Sequence, residues 1–171
     1  MTWNDRFLTL FDRCTALYQS GNRDFETYYT GEDLAFLSTI GYRRREFFDF
    51  IEDFCEENEP TPSTALLIAA ARRDYFLVIQ KRITSTRQIT RDELPTFGDT
   101  LDGFAYLPRI LAKARAKLRG ELDPDIMYGC GGDRAFLARN ASLHPADFLR
   151  IVWAAGDDDH AVVKAIRNHI S

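Results

Sequence analysis

Apolar residues recur at three- and four-residue intervals along almost the whole chain, and this period admits helices while leaving almost no room for a sheet. From Phe7 to Tyr18 the apolar positions are Phe7, Leu8, Leu10, Phe11, Cys14, Leu17 and Tyr18, with Asn4 placed as a cap and Gly21 as a stop. Thr30-Gly31-Glu32-Asp33 has the form of a capping box ahead of Leu34, Phe36 and Leu37, and Gly41 ends that short helix. A third helix is expected over 44–57. A fourth runs from Pro62, at the first helical position, to about Lys81. Residues 84–103 are rich in polar, Pro and Gly residues and hold at most a short turn near Arg91 to Leu94, so they read as a connector. Beyond them the pattern predicts helices over 107–119, 133–139, 145–155 and 158–169, the first ended by Gly120 and the third by Gly156. The expected fold is all-α, about eight helices with no strands. Its parts are an N-terminal helical lobe at 1–83, the connector at 84–103 and a C-terminal helical lobe at 104–171.

A self-comparison carries this further. Residues 27–37 laid over 127–137 match at Tyr28 and Tyr128, Gly31 and Gly131, Asp33 and Asp133, and then at Ala, Phe and Leu. One residue of slippage later, Glu46 to Ile51 lies over Asp147 to Val152 with acidic on acidic and apolar on apolar. Helical period alone would align the apolar positions, but it does not require the shared Tyr and Gly before the helix. The pattern predicts two pseudo-symmetric lobes as a tandem repeat within one compact unit, with the equivalent helix starts meeting at a cleft between them.

Composition excludes several function classes. The 171 residues can bury a core without cross-links. The 22 basic and 26 acidic residues are too balanced to signal a nucleic-acid or membrane partner. Cys14, Cys55 and Cys130 make no Cys-x-x-Cys pair, so reduced thiols and a cytoplasmic setting are expected. The start of the chain lacks a signal-peptide pattern. The longest apolar run, Ala65 to Ala71, is seven residues, against about 20 for a membrane span.

The Gly129-Cys130-Gly131-Gly132-Asp133-Arg134 stretch is the most chemically suggestive. Glycines entering a helix can present N–H groups to an anion, and a cysteine there gains from the helix dipole. It lacks the Lys-Ser/Thr of a phosphate loop and the strand of a dinucleotide fingerprint, so capping by Asp133 over a tight turn is the simpler reading. Asp157-Asp158-Asp159-His160 lacks the spacing of a calcium loop and reads as helix-start acids. His144, His160 and His169 form no zinc pattern, and His144 stands where a cap belongs. No metal and no cofactor is implied. Tyr28, Tyr29 and Tyr128 stand in turns before helix starts, where they either line a cleft or tie loops to backbone carbonyls.

Charge is distributed unevenly. Glu46 to Glu59 is an acidic run without a base, and Arg109 to Arg119 a basic run without an acid. With Leu107, Ile110, Leu111, Ala114 and Leu118 on one face, Arg109, Lys113 and Lys117 flank one side and Arg115 and Arg119 the other, the pattern of a solvated amphipathic helix. Arg72, Arg73, Lys81 and Arg82 add to the basic count, and the acidic and basic runs could face each other.

Leu107-Pro108-Arg109, the Lys113-Ala114-Arg115-Ala116-x-Leu118-x-Gly120 motif, Tyr128, Asp133-Arg134-x-Phe136-Leu137 and Ala146-Asp147-Phe148-Leu149 resemble a bacterial family catalogued only as a domain of unknown function. Gly21-Asn22-Arg23-Asp24, Thr27-Tyr28-Tyr29 and Glu32-Asp33-Leu34 resemble a longer subgroup of it. The resemblance implies a small soluble bacterial protein and brings no catalytic residues. The leading expectation is a binding or interaction module. Its partner would be a small molecule or a protein, a second copy of the chain included, and its cleft would use Tyr28, Arg109, Tyr128, Asp133 and Arg134. The alternative is a small-molecule enzyme with Asp133, Tyr128, Cys130 and Asp33 as acid–base or nucleophilic candidates. The third is nucleic-acid binding through the basic helices.

Overall fold

Thr2 and Asp5 begin the first helix by satisfying each other's neighbours: the Asp5 N–H donates to Thr2 Oγ1 at 3.2 Å and the Thr2 N–H to Asp5 Oδ2 at 2.8 Å. This reciprocal box takes precedence over Asn4, so helix α1 starts two residues earlier than expected and spans Trp3–Gln19. The structure, a computed structural model, describes residues 1–140 and 142–170. Among them are eight α-helices and one two-stranded hairpin, and the chain divides into two compact units, Met1–Arg82 and Ile83–Ser171.

In the first unit α1 is followed by α2 (Gly31–Thr39), α3 (Arg44–Glu57) and α4 (Pro62–Val78). The expected capping box at Thr30 and Asp33 is present, and Thr61 caps α4 with Pro62 at its first position. α1 packs on α3 and α4. Phe7 meets Phe47 edge to face at 5.0 Å, and Phe11, Phe48, Phe50, Ile51 and Ile68 complete an aromatic-rich core. Arg72, counted from sequence among exposed basic residues, lies fully inside this unit. Its Nη1 donates to Gln80 Oε1 at 2.8 Å and its Nη2 to the Gly41 carbonyl at 3.2 Å, so it has no part in a basic surface. Gly41 leaves the space it needs: at φ +74°, a Cβ there would come within 2.8 Å of the Phe76 ring and 3.1 Å of Arg72 Nη2.

The second unit holds α5 (Leu107–Arg119), α6 (Gly131–Arg139), α7 (Pro145–Ala155) and α8 (Asp159–Ile170). It also departs from all-α expectation in a hairpin of β1 (Thr100–Leu101) and β2 (Phe104–Ala105), paired antiparallel as Thr100 with Ala105 and Leu101 with Phe104, and in a lone parallel bridge between Ile89 and Leu122. Asp102 and Gly103, both at positive φ, supply the two-residue turn that such a hairpin requires. α5 packs on α7, and α7 on α8. Ile89 and Leu94 form a small apolar cluster with Ala116 and Ile126, and the Ile89 N–H donates to the Glu121 carbonyl at 2.8 Å.

α5 buries Leu107, Ile110, Leu111, Ala114 and Leu118, the stripe predicted for it. It also buries Lys113 and Lys117, which sequence placed on a solvated flank. The reason is that α5 is covered on more than one side: it packs on α7, Asp133 and Cys130 at the start of α6 hold Lys113, and Ala112 and Ala116 pack into the cluster around Ile89. Of the other basic residues of this helix, two meet acids of the same unit. Arg115 pairs with Asp159 at 2.6 Å, and Arg119 with Asp157 at 3.4 Å. Within the acidic run, Asp49 pairs with Arg45 of the same helix. Among the described residues no helix is long and apolar enough to cross a membrane, and no cluster of three His, Cys, Asp or Glu side chains could hold a metal.

Candidate functional site

Four side chains of the second unit converge where α5 passes the start of α6. Cys130 is the N-cap residue of α6, Gly131 and Gly132 follow, and Asp133 is its third residue, with its carboxylate turned back over the entry loop. Asp133 is 0% exposed and accepts three hydrogen bonds. Its Oδ1 takes the Tyr106 hydroxyl at 2.8 Å, and its Oδ2 takes Lys113 Nζ at 2.6 Å and the Gly129 N–H at 2.8 Å. Lys113, 4% exposed, also donates to Cys130 Sγ at 3.2 Å. The carboxylate gains from the helix N-terminus as well as from the ammonium.

Tyr106 reaches this cluster from an unusual backbone. It precedes α5 at φ +74°, a left-handed conformation that costs energy for a residue with a Cβ. Gly132 lets it approach, since a Cβ there would sit 3.1 Å from the Tyr106 oxygen. Burial first, and then the charge of Asp133, push the Tyr106 phenol far above its ordinary value, so it stays a neutral donor to the carboxylate.

The residues singled out from sequence divide between the units. In the first, the Tyr28 hydroxyl donates to the Asn22 carbonyl at 2.6 Å, and Asp33 accepts from the N–H of Thr30 at 2.7 Å and pairs with Arg13 at 2.5 Å. Asp33 borders a small hollow of about 100 Å³ with Arg6, Arg13 and Phe36. In the second, the Tyr128 hydroxyl donates to the Pro145 carbonyl at 2.7 Å, and Arg134 donates to the Gly129 carbonyl at 2.8 Å. Arg109 donates to the Pro95 carbonyl at 2.7 Å and stacks on the exposed Phe97 ring at 4.3 Å. With the Tyr29 hydroxyl donating to the Arg44 carbonyl at 2.8 Å, all three turn tyrosines tie loops to backbone carbonyls. Asp133 and Cys130 come together with Lys113, which sequence noted for its charge and its place in the family-like motif but not as a site residue, and with Tyr106, which sequence did not single out. One signal was available for Lys113: the offset of 100 that relates Asp33 to Asp133 also places Arg13 over Lys113. No pattern announces the left-handed Tyr106.

A larger hollow lies on another side of α5. It encloses about 460 Å³, within the range of small-molecule sites, between residues 87–94 and the Ala112, Arg115, Ala116 and Arg119 face of the helix. Ile89, Leu94, Ala112 and Ala116 line its apolar part, while Arg87, Arg115, Arg119, Glu93 and Glu121 supply its charges.

No curated protein and no solved structure matches the chain. The residues that carry the sequence resemblance between Leu107 and Leu149, including Lys113 and Asp133 of the buried cluster, fall inside one matched span, whereas those at 21–34 fall outside it. That span, residues 96–171, matches the family model of a Domain of unknown function (DUF5069).

Proposed function

We propose that this protein is a ligand-binding module made of two like helical lobes, with its ligand seat in the C-terminal unit. The observation that carries the binding reading is the 460 Å³ hollow beside α5, which combines an apolar wall with three guanidinium groups. Asp133 and Tyr128 favour the same reading, because each already spends its polar atoms on internal hydrogen bonds that fasten the α6 entry loop. The likeness of the lobes is supported by a recurring contact. In each unit a cation from the middle of one helix reaches the third residue of the next, Arg13 to Asp33 and Lys113 to Asp133. Tyr28 and Tyr128, Phe36 and Phe136, and Leu37 and Leu137 are buried alike.

Native mass spectrometry of the protein purified from a bacterial cytoplasm, set against its denatured mass, tests the binding reading. A retained non-covalent increment should vanish in Ala112→Phe, which fills the hollow, while the helical circular dichroism stays the same. An increment that persists in that variant would remove the hollow as the seat.

A second reading, an enzyme with a cysteine nucleophile, draws on one contact: Lys113 Nζ donates to Cys130 Sγ at the start of α6. A stable covalent adduct at Cys130 from a panel of acyl and phosphoryl electrophiles, absent in Lys113→Met, would favour it. Equal labelling of both proteins would count against it.

A further inference from the structure

We propose that Cys130 and Lys113 together form a redox-sensitive modification site: peroxide oxidises the Cys130 sulfur, and the Lys113 amine then joins that sulfur in a reversible covalent bridge between α5 and α6. Such a bridge needs only peroxide and these two side chains, and so stands whichever reading of function holds. Lys113 Nζ lies 3.2 Å from Cys130 Sγ, inside the span of about 3–3.5 Å from which reacting atoms close to a bond. The amine is kept there by its other partner, since Asp133 Oδ2 accepts from it at 2.6 Å and Lys113 is only 4% exposed. Cys130 is the N-cap residue of α6, and its side chain makes no capping hydrogen bond, so the helix start does not draw the sulfur away from the lysine. Cys130 is partly exposed whereas Lys113 is buried, so a small oxidant meets the sulfur first.

In the first step a sulfur electron pair attacks one oxygen of hydrogen peroxide and the O–O bond breaks. The departing hydroxide takes the thiol proton, which leaves a sulfenic acid and water. Sulfur loses two electrons and the peroxide gains them. In the second step the Lys113 ammonium passes one proton to the Asp133 carboxylate, and the freed nitrogen pair attacks the sulfur. The S–O bond breaks, and the hydroxide leaves as water with a second proton from the nitrogen. An S–N bond remains and no further oxidant is consumed; sulfenic acids condense with backbone nitrogen in the same manner. The buried setting favours this outcome. Removing one member of a buried ion pair ordinarily strands the charge of the other. Here the nitrogen and the carboxylate lose their charges together, and Asp133 becomes a neutral acid whose Oδ1 still accepts the Tyr106 hydroxyl.

The test treats the full chain with hydrogen peroxide in the absence of thiol and reads the intact mass and a tryptic peptide map. The oxidised chain should be about 2 Da lighter, because the bridge forms with net loss of two hydrogens. Trypsin should no longer cut after Lys113, so residues 110–115 should appear joined to residues 120–134. Dithiothreitol should restore the original mass, with the sulfur returned to a thiol and the nitrogen to an amine. Lys113→Arg keeps a cation for Asp133 but supplies a guanidinium that stays protonated and has no free pair to attack with. That variant should retain oxygen on Cys130 instead of losing hydrogens, and where it does not fold the peptide map of the natural protein decides the matter. Oxygen retained on Cys130 of the natural protein, with cleavage after Lys113 intact, would overturn the proposal. So would a Cys130 disulfide, or a bridge to a backbone nitrogen, which loses the same mass but leaves Lys113 cleavable. A Cys130 left unmodified by peroxide that oxidises the unfolded chain would overturn it as well.

Discussion

Lys113 of α5 and Asp133 of α6 form an ion pair at 2.6 Å that is almost wholly removed from water, whereas Arg13 and Asp33, the corresponding pair of the first unit, meet at 2.5 Å with side chains 41% and 20% exposed. The same contact therefore exists in two dielectric settings within one chain. Breaking a buried pair leaves an uncompensated charge and costs about 3–5 kcal/mol, whereas an exposed pair contributes about 1 kcal/mol or less. Asp133→Asn should destabilise the protein by about 3–5 kcal/mol. Asp33→Asn, which weakens a capping box and a surface pair, should cost about 1 kcal/mol. Urea unfolding of the two variants checks this, and equal losses would show that burial is not what separates the pairs.

Asp33 also makes stability depend on pH. Desolvation acts to raise its carboxyl, but the hydrogen bonds from Thr30 and the Arg13 guanidinium outweigh it and hold the group below its ordinary value. A carboxyl depressed in the folded state stabilises the fold above its unfolded value, about 3.9, and that contribution is lost as pH falls through the folded value. The stability gap between the natural protein and Asp33→Asn should therefore be full at neutral pH and shrink below about pH 4. Unfolding free energies measured from pH 7 down to pH 3 test this, and a gap of constant size would refute the assignment.

The three cysteines should separate by reactivity. Cys14 is completely buried, and burial pushes its thiol up to about 12. Burial also raises Cys55, which is half-buried in α3. Cys130 is half-buried too, but it lies at a helix start with an ammonium donating to its sulfur. Native-state alkylation followed by peptide mass mapping should find Cys130 modified first, Cys55 later and Cys14 only on unfolding. Lys113→Met should slow the first step, and a rate unchanged by that substitution would deny the lysine any influence on the sulfur.

Gly41 and Gly31 should respond in opposite directions to the same substitution. Gly41→Ala forces a Cβ into the Phe76 ring at positive φ and should cost about 1–3 kcal/mol. Gly31 opens α2 with free space where its Cβ would be, so Gly31→Ala should be neutral or stabilise by up to about 1 kcal/mol. Thermal unfolding of the two variants distinguishes them, and a shift of the same sign in both would contradict the packing described around Arg72.

Local chemistry was open to reading in sequence wherever a few neighbouring residues settle it. The box of Thr30 and Asp33, the first-turn Pro62, the left-handed stop at Gly120 and the His144 cap, whose Nδ1 accepts the Ala146 N–H at 3.1 Å, all stand where the pattern put them. Asp102-Gly103 carried an equally local hairpin signal, and the polar composition around it hid a pair of two-residue strands.

By itself, then, the sequence determined the eight helical segments, most of their ends and the buried apolar stripe of α5, because helical period and capping act over one or two turns. Only the tertiary structure decided that Lys113, Lys117 and Arg72 lie inside, since a long basic side chain has the same local preferences on a solvated flank as in a covered one. Which of the two it occupies depends on packing partners distant in sequence: Asp133, 20 residues on from Lys113, and Gly41, 31 residues before Arg72. The same distance kept the hollow beside α5 out of view, because its walls come from residues 87–94 and α5, and packing alone brings them together.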